Sequence, residues 1–514
     1  GLRYSKFNQP IDGNHQLSTF DPSLYVAANA PTIDKSNSGN LCVPGAPCMG
    51  VTPNPSANLL NGISINKNAA SNPYSATGNS PYGTKVGSSD NANFAPRVGF
   101  AFDVFGNGKT SLRGGYGIAY DSALFGIYEQ NIFQNIPFIN TPVINNTSFD
   151  NPAAVAATVS YAAPVIRATS PHFSTPYNQQ WSLGVQSGIG LGVTVDVSYV
   201  GNHQVHLLGF NDINQPAPGA FAAAKLGTPG AGGTYSVNST TINQINQIRP
   251  YRGYGVIESV NPIYSGNYNA LQVAGRKQWK HDSLVQVNYT WSRALTNAAA
   301  DRTGGPQIAS NLYAEYGRAA ADRTHMLNFN AVYALPFFYE QKGLVGHLLG
   351  GWEASALGFF NSGLPLTPTT SGLDPAGVGV IISSATESGR PDQVGNPNVA
   401  SAASGPIHNR LHWYNINAFQ AVPQGQYRGG NAARSTINGP GWWRVDAGLF
   451  RNIRIYERLN LQLRGEAFNL FNHTNPDGVT TGSIISASGY SSTAGNITSY
   501  RDKRILQLGA KLVF

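Results

Sequence analysis

Leu284-Val285-Gln286-Val287-Asn288-Tyr289-Thr290-Trp291-Ser292 reads with a period of two. Val285, Val287, Tyr289 and Trp291 fall on one side of an extended chain, and Gln286, Asn288, Thr290 and Ser292 on the other, because successive strand side chains point to opposite faces. The same division recurs in Arg97–Val104, Val193–Tyr199 and Asn460–Glu466. A strand of a soluble sandwich also alternates, so length and spacing carry more weight than any one segment. The alternating runs predict strands near 1–7, 94–105, 109–121, 177–187, 191–202 and 266–279, then 283–295, 323–336, 350–361, 442–455, 458–471 and 498–514. Many reach about ten residues or more, the length a tilted strand needs to cross a bilayer, whereas sandwich strands run to about five or six.

The connections alternate between short and long. Gly106-Asn107-Gly108, Gly188-Ile189-Gly190, Lys280-His281-Asp282 and Tyr456-Glu457 are tight turns, and Phe337 to Gly350 is a longer turn on the same side. The segments between them are long and rich in Gly, Ser, Asn, Pro and Ala. Short turns at one end and long loops at the other are the pattern of a transmembrane barrel, with the loops extracellular. Loops of this size inside a compact domain are usually functional. Trp279, Trp291, Trp352, Trp442 and Trp443 lie near strand ends, where amphipathic rings suit the headgroup zone.

Composition agrees. Charged residues make up 11% of the 514, against roughly 25% in typical soluble domains. Yet 41% are hydrophobic and 11% aromatic, and mean hydropathy is slightly negative. Apolar residues facing lipid, alternating with uncharged polar ones facing a lumen, reconcile these values. No apolar run is long enough for a transmembrane helix. The formal charge of +8 comes from Lys and Arg scattered singly, which does not build a phosphate-tracking stripe, so nucleic acid is not an expected partner. Gly1 opens no signal peptide, and Gly1–Phe7 reads as a strand already under way, so more sequence is expected upstream. Cys42 and Cys48, in Cys-Val-Pro-Gly-Ala-Pro-Cys, suit a tight surface loop closed by a disulfide, with two free thiols as the alternative.

The C-terminal stretch Arg504–Phe514 puts Leu506, Leu508, Ala510, Leu512 and Phe514 on one face, and Gln507, Gly509 and Lys511 on the other. It resembles the closing strand of outer-membrane barrels, whose terminal aromatic, here Phe514, is read by the barrel-insertion machinery. Asn93–Phe100 followed by Gly108–Gly117, and Gly351-Trp352-Glu353 leading to Ser362-Gly363-Leu364-Pro365, look like barrel hairpins of TonB-dependent receptors. Arg464–Asn475 is similar to the penultimate-strand motif of the Oar-like group. The resemblance covers nearly the whole chain. It implies that residues 1–514 are the C-terminal portion of an all-β, antiparallel transmembrane barrel in a Gram-negative outer membrane. About 12 strands of a larger barrel, of about 22 or more, would then be present. It further implies a plug and a regulatory-like domain upstream, a TonB complex acting through that plug, and uptake of a glycan, peptide or metal chelate. A passive channel and a surface adhesion or protein-export component are the alternatives.

Enzymatic signatures are poor, and no catalytic, cofactor or metal site is expected. His408 and His412 are four apart and His203 and His206 three apart, in or beside loops, with no acidic third ligand. The charges assigned to the lumen are Asp196, Arg276, Glu353, Asp446, Arg464, Glu466 and Lys511. Facing lipid, each would cost up to several kcal/mol. Pairing with one another or with a plug is the plain reading, and contact with substrate the functional one. Loop aromatics such as Tyr313, Tyr316, Trp413, Tyr414 and Tyr427 could stack on a flat ligand or pack the loops together.

Overall fold

The computed structural model describes residues 1–514 apart from 37–38, 43–47, 67–77, 122–131, 134, 140–149, 151–161, 230–234, 236, 239–240, 280–282, 300–303, 380–388 and 457–458. Most regular structure lies in one 14-stranded sheet. Its main path begins with β1 (Leu2–Tyr4), β2 (Phe94–Asp103), β3 (Thr110–Tyr120) and β4 (Tyr177–Gly190). It continues through β5 (Val193–Asp212), β6 (Ile257–Gln278), β7 (Leu284–Thr296) and β8 (His325–Ala334). It ends with β9 (Trp352–Asn361), β10 (Trp442–Tyr456), β11 (Leu459–Phe468) and β12 (Ile505–Val513). Each strand pairs antiparallel with the next in sequence. The path is a pure meander and, among the described residues, does not close, since β1 and β12 are its two ends.

The register carries one facing from strand to strand. Val287 sits opposite Gly275 and Phe329, and Leu449 opposite Ala354 and Gly465, with Gly465 opposite Leu508. One face therefore presents Val98, Phe100, Phe102, Leu183, Val197, Tyr199, Val287, Trp291, Leu449 and Leu508, all well exposed. An apolar surface this extensive is tolerated only against lipid or another protein surface. The other face carries Gln180, Asn202, Gln286, Asn288, Asn328, Asn330 and most of the charged residues, whereas Lys277 and Arg451 fall on the apolar side.

Four local features differ from the sequence reading. The β4–β5 turn is Leu191-Gly192, both at positive φ (51° and 72°), and the expected Gly188-Ile189-Gly190 carries a register shift instead. Both central residues at φ > 0 match the twist of a two-residue hairpin. β5 and β6 run on to 20 and 22 residues. Register shifts at Val205/Leu207 and Leu207/Gly209, with His206 at φ 59°, interrupt the alternation that would have revealed the extension. The segment after Phe337 contains a helix, α1 (Gly343–Leu349). β12 starts at Ile505, because the chain before it bonds within its own loop: Asp477 N donates to Ser499 O and Thr498 N to Gly478 O. The expected turn Lys280-His281-Asp282 and Glu457 of the Tyr456-Glu457 turn lie outside the described residues.

Consecutive residues cannot share a face, which separates Trp442 from Trp443. Trp443 is on the apolar side, stacked on Phe360 (centroids 5.8 Å apart) and His473 (4.2 Å). Trp442 stacks on Phe359 on the polar side, beneath the Arg501 guanidinium.

Facing predicts the response to charge. In the full-length protein refolded into lipid vesicles, Val287→Arg should lower the unfolding free energy by about 2–4 kcal/mol in denaturant titration. Asn288→Arg, one residue along and on the other face, should change it by no more than about 0.5 kcal/mol.

Candidate functional site

The polar face and the loop layer are the two places where charged and hydrogen-bonding groups gather. On the polar face, the register puts Asp196, Arg276, Glu353, Asp446, Arg464, Glu466 and Lys511 on the side opposite the apolar set. They are not brought into ion pairs with one another. Asp196 accepts from Ser198 Oγ at 2.6 Å. Arg464 donates to Gln462 Oε1 at 2.6 Å and lies over the Phe450 ring. Asp446 takes a bidentate pair of 2.6 Å bonds from Arg444, a residue that the sequence did not single out, and a third from Asn469 N at 2.8 Å. Glu353 borders a polar cleft with Arg454 and Asn460 at the short-turn end. A groove of about 760 Å³ runs over β2–β5, lined on the polar side by Arg97, Gly115, Gly117, Gln180 and Asn202. Gly117 keeps its floor low, since a Cβ there would meet Arg97 Cγ at 3.2 Å.

The loops are not idle linkers. Among the described residues, the buried apolar clusters lie in them rather than between sheet layers. Tyr414, Phe419, Ile437, Ile484 and Ile485 form one core from the loops 362–441 and 469–504. Phe20, Ile63, Ile65, Ile166, Tyr254 and Ile257 form another, joining the loops 5–93, 121–176 and 213–256 to the outer end of β6. Tyr254 donates from its hydroxyl to Asn61 O at 2.8 Å, and burial raises its phenol pKa.

Buried charges stitch these loops to each other. Arg390 grips both oxygens of Glu315 at 2.6 and 2.9 Å, with each side chain about 1% exposed, and also donates to Ala314 O and Ala432 O. Gln307 ties the same knot, accepting from Arg390 N and donating to Gly430 O, while Gln215 donates to Gln307 O. The loops 213–256, 297–324 and 362–441 are thereby fixed in relation to one another. Arg249 meets Asp212 at 3.3 Å, where burial pushes the carboxyl up and the guanidinium down, each opposed by the partner's charge. Arg428 holds Asp392 through two bonds of 2.6 and 2.7 Å; those bonds keep the carboxyl below the usual carboxylate range.

Between the loops opens a pocket of about 360 Å³, bordered by Tyr235, Leu373, Pro375, Val422, Tyr427 and Ser486. Its two nearest charges, Asp374 and Arg390, are already engaged: Asp374 accepts from Val378 N and Gly379 N. Of the loop aromatics, Tyr414 belongs to a core, Trp413 donates from Nε1 to Asn438 O at 2.8 Å, and Tyr313 stands free, 90% exposed. Tyr316 receives a bond from Asn267, and Tyr427 borders the pocket at φ 44°. His203 and His206 lie on the extended β5 rather than in a loop; His203 Nδ1 is 2.7 Å from Asn267 Oδ1. His408 lies against Trp413, with centroids 5.0 Å apart and the ring planes tilted by 53°. Cys42 and Cys48 are bonded to each other, with Cα atoms 5.5 Å apart. Phe514 ends the chain, 94% exposed, beyond β12.

A family model described as "Outer membrane beta barrel domain" matches residues 1–507. No curated protein matches the chain. Among solved structures, the outer membrane transporter YddB from Escherichia coli is similar at 11% identity and a TM-score of 0.41, over 82% of this chain and 41% of that one. The ferripyoverdine receptor of the outer membrane of Pseudomonas aeruginosa is similar at 9% identity and a TM-score of 0.37, over 83% and 34%. The ferric-catecholate import receptor Fiu of Escherichia coli K12 gives 11% identity and 0.34, over 86% and 39%. The match thus spans less than half the length of each of these proteins.

Two outcomes are expected. Arg390→Met strands the buried Glu315 charge and should cost the loop layer about 3–5 kcal/mol. It should appear as new cleavage in 297–324 and 362–441 on limited proteolysis, with the strand circular dichroism unchanged. Adding Glu315→Leu should restore much of the resistance. Separately, protein purified and unfolded without reductant should take up no maleimide at Cys42 or Cys48 until it is reduced.

Proposed function

The chain belongs to the outer membrane β-barrel domain family and sits in the Gram-negative outer membrane, and from that premise we propose that it is the barrel of an Oar-like TonB-dependent transporter. One observation favours this reading over an open pore: the long loops form a folded layer with its own cores and buried clamps. Such a layer presents a shaped surface with a pocket, suited to selecting a ligand before it enters. A passive channel needs loops that leave its mouth open.

In this proposal the loop pocket and the exposed Tyr313 take part in capture. The polar-face charges, from Asp196 to Lys511, line the route inward or meet a plug. Further strands pair with the free edges of β1 and β12, since unpaired edge groups are costly in lipid. TonB acts through a plug domain of the full protein and draws on the inner-membrane proton gradient. Phe514 directs insertion. The chain performs no catalysis; its chemistry is recognition and passage.

The test is accumulation of labelled glycans, peptides and metal chelates by cells carrying the full-length protein, with and without TonB. Accumulation of one class that stops when TonB is removed is the expected result. Accumulation that continues unchanged without TonB makes the protein a passive channel. Surface retention with no accumulation makes it an adhesion or export component.

A further inference from the structure

We infer that α1 is a membrane-interface anchor, whose apolar face lies in the phospholipid of the periplasmic leaflet. The helix joins β8 to β9 at the short-turn end of the sheet, which is the periplasmic end of such barrels. At 100° per residue, Leu344, Val345, Leu348 and Leu349 occupy one side of it. All four are exposed, at 78, 53, 60 and 56%. Gly346 and His347 fall on the other side. Gly346 is buried against the Gln341 backbone, and His347 borders the polar cleft that also contains Glu353 and Arg454.

The orientation of that leucine side follows from what holds the helix. Arg451 belongs to the apolar face of β10, opposite Trp352 of β9, and its guanidinium lies 5.5 Å from the Trp352 ring. From there it donates to His347 O at 2.8 Å and to Leu348 O, capping the last turn of α1. A cation at a helix C-terminus is favourable, and this one joins α1 to the lipid-facing surface. On the other flank, Gln341 donates to Asn452 O at 2.7 Å and fixes the entry to the helix. The four apolar side chains thus continue the lipid-facing surface at its lower rim, together with the exposed Phe337 and Phe338. A surface of that kind, contiguous with lipid, is covered by lipid rather than water.

Single cysteines at positions 344, 345, 348 and 349, spin-labelled in the full-length protein with Cys42–Cys48 left oxidised, test this in phospholipid nanodiscs. His347→Cys and Tyr313→Cys serve as the aqueous references. Collisions with oxygen should exceed those with a water-soluble nickel chelate at the four apolar positions, reversing the sign of the logarithmic ratio found at 313 and 347. Nickel collisions at the four positions as frequent as at 313 would overturn the inference, placing the face in water. Shielding from both reagents would also overturn it, because a protein would then be covering the face.

Discussion

A peptide N–H or C=O left without a partner in hydrocarbon costs several kcal/mol, and the whole molecule is arranged around that constraint. It explains why the sheet is a meander. Every strand meets its sequence neighbour, so each ladder is completed with the least chain, and the turns at one end shrink to as little as Leu191-Gly192. It also explains why most of the charge lies on one side of the sheet. A residue in such a strand has two environments to choose from, and the register leaves no intermediate position.

The same constraint moves the hydrophobic core to an unusual place. In a soluble sandwich the inward faces of two sheets pack on each other. Here lipid takes the apolar face and the opposite face is polar, so the buried clusters form among the loops. Those loops are poor in regular secondary structure, and their backbone groups must be satisfied individually. Asn214 illustrates how: its Nδ2 donates to Tyr254 O and Gly255 O, while its Oδ1 accepts from Tyr251 N. The abundance of Asn, Ser and Thr in the loops follows from that need, and the buried Arg390–Glu315 pair adds a long-range clamp to the local bonds.

Strand order, facing and the division into short turns and long loops were legible in the sequence because each is written locally, in alternation or in Gly-rich turns. Leu284–Ser292 is the plainest case: each of its side chains reports its own environment. What was not legible is written non-locally or too briefly. Nothing near Arg390 points to Glu315, 75 positions earlier, and a buried pair in a loop has no periodicity. The outer halves of β5 and β6 escaped because their register shifts reverse the alternation. Seven residues of α1 are fewer than two helical turns. In the candidate site, the strand alone marks Asp446 as polar-facing, and its partner Arg444 stands two residues away on the same face. That spacing was the available signal.

The extended ribbon of β5 and β6 also sets how the cell surface is met. At about 3.3 Å per residue, the 20-residue β5 is roughly 66 Å long. Tilted by about 40° it climbs about 50 Å, roughly twice the height of the apolar band it has to cross. The remainder rises beyond that band on the loop side and carries the 213–256 loop with it. That loop is therefore held farther from the membrane than any other part of the ribbon, where its residues are released from the two-sided constraint that the bilayer places on the strands.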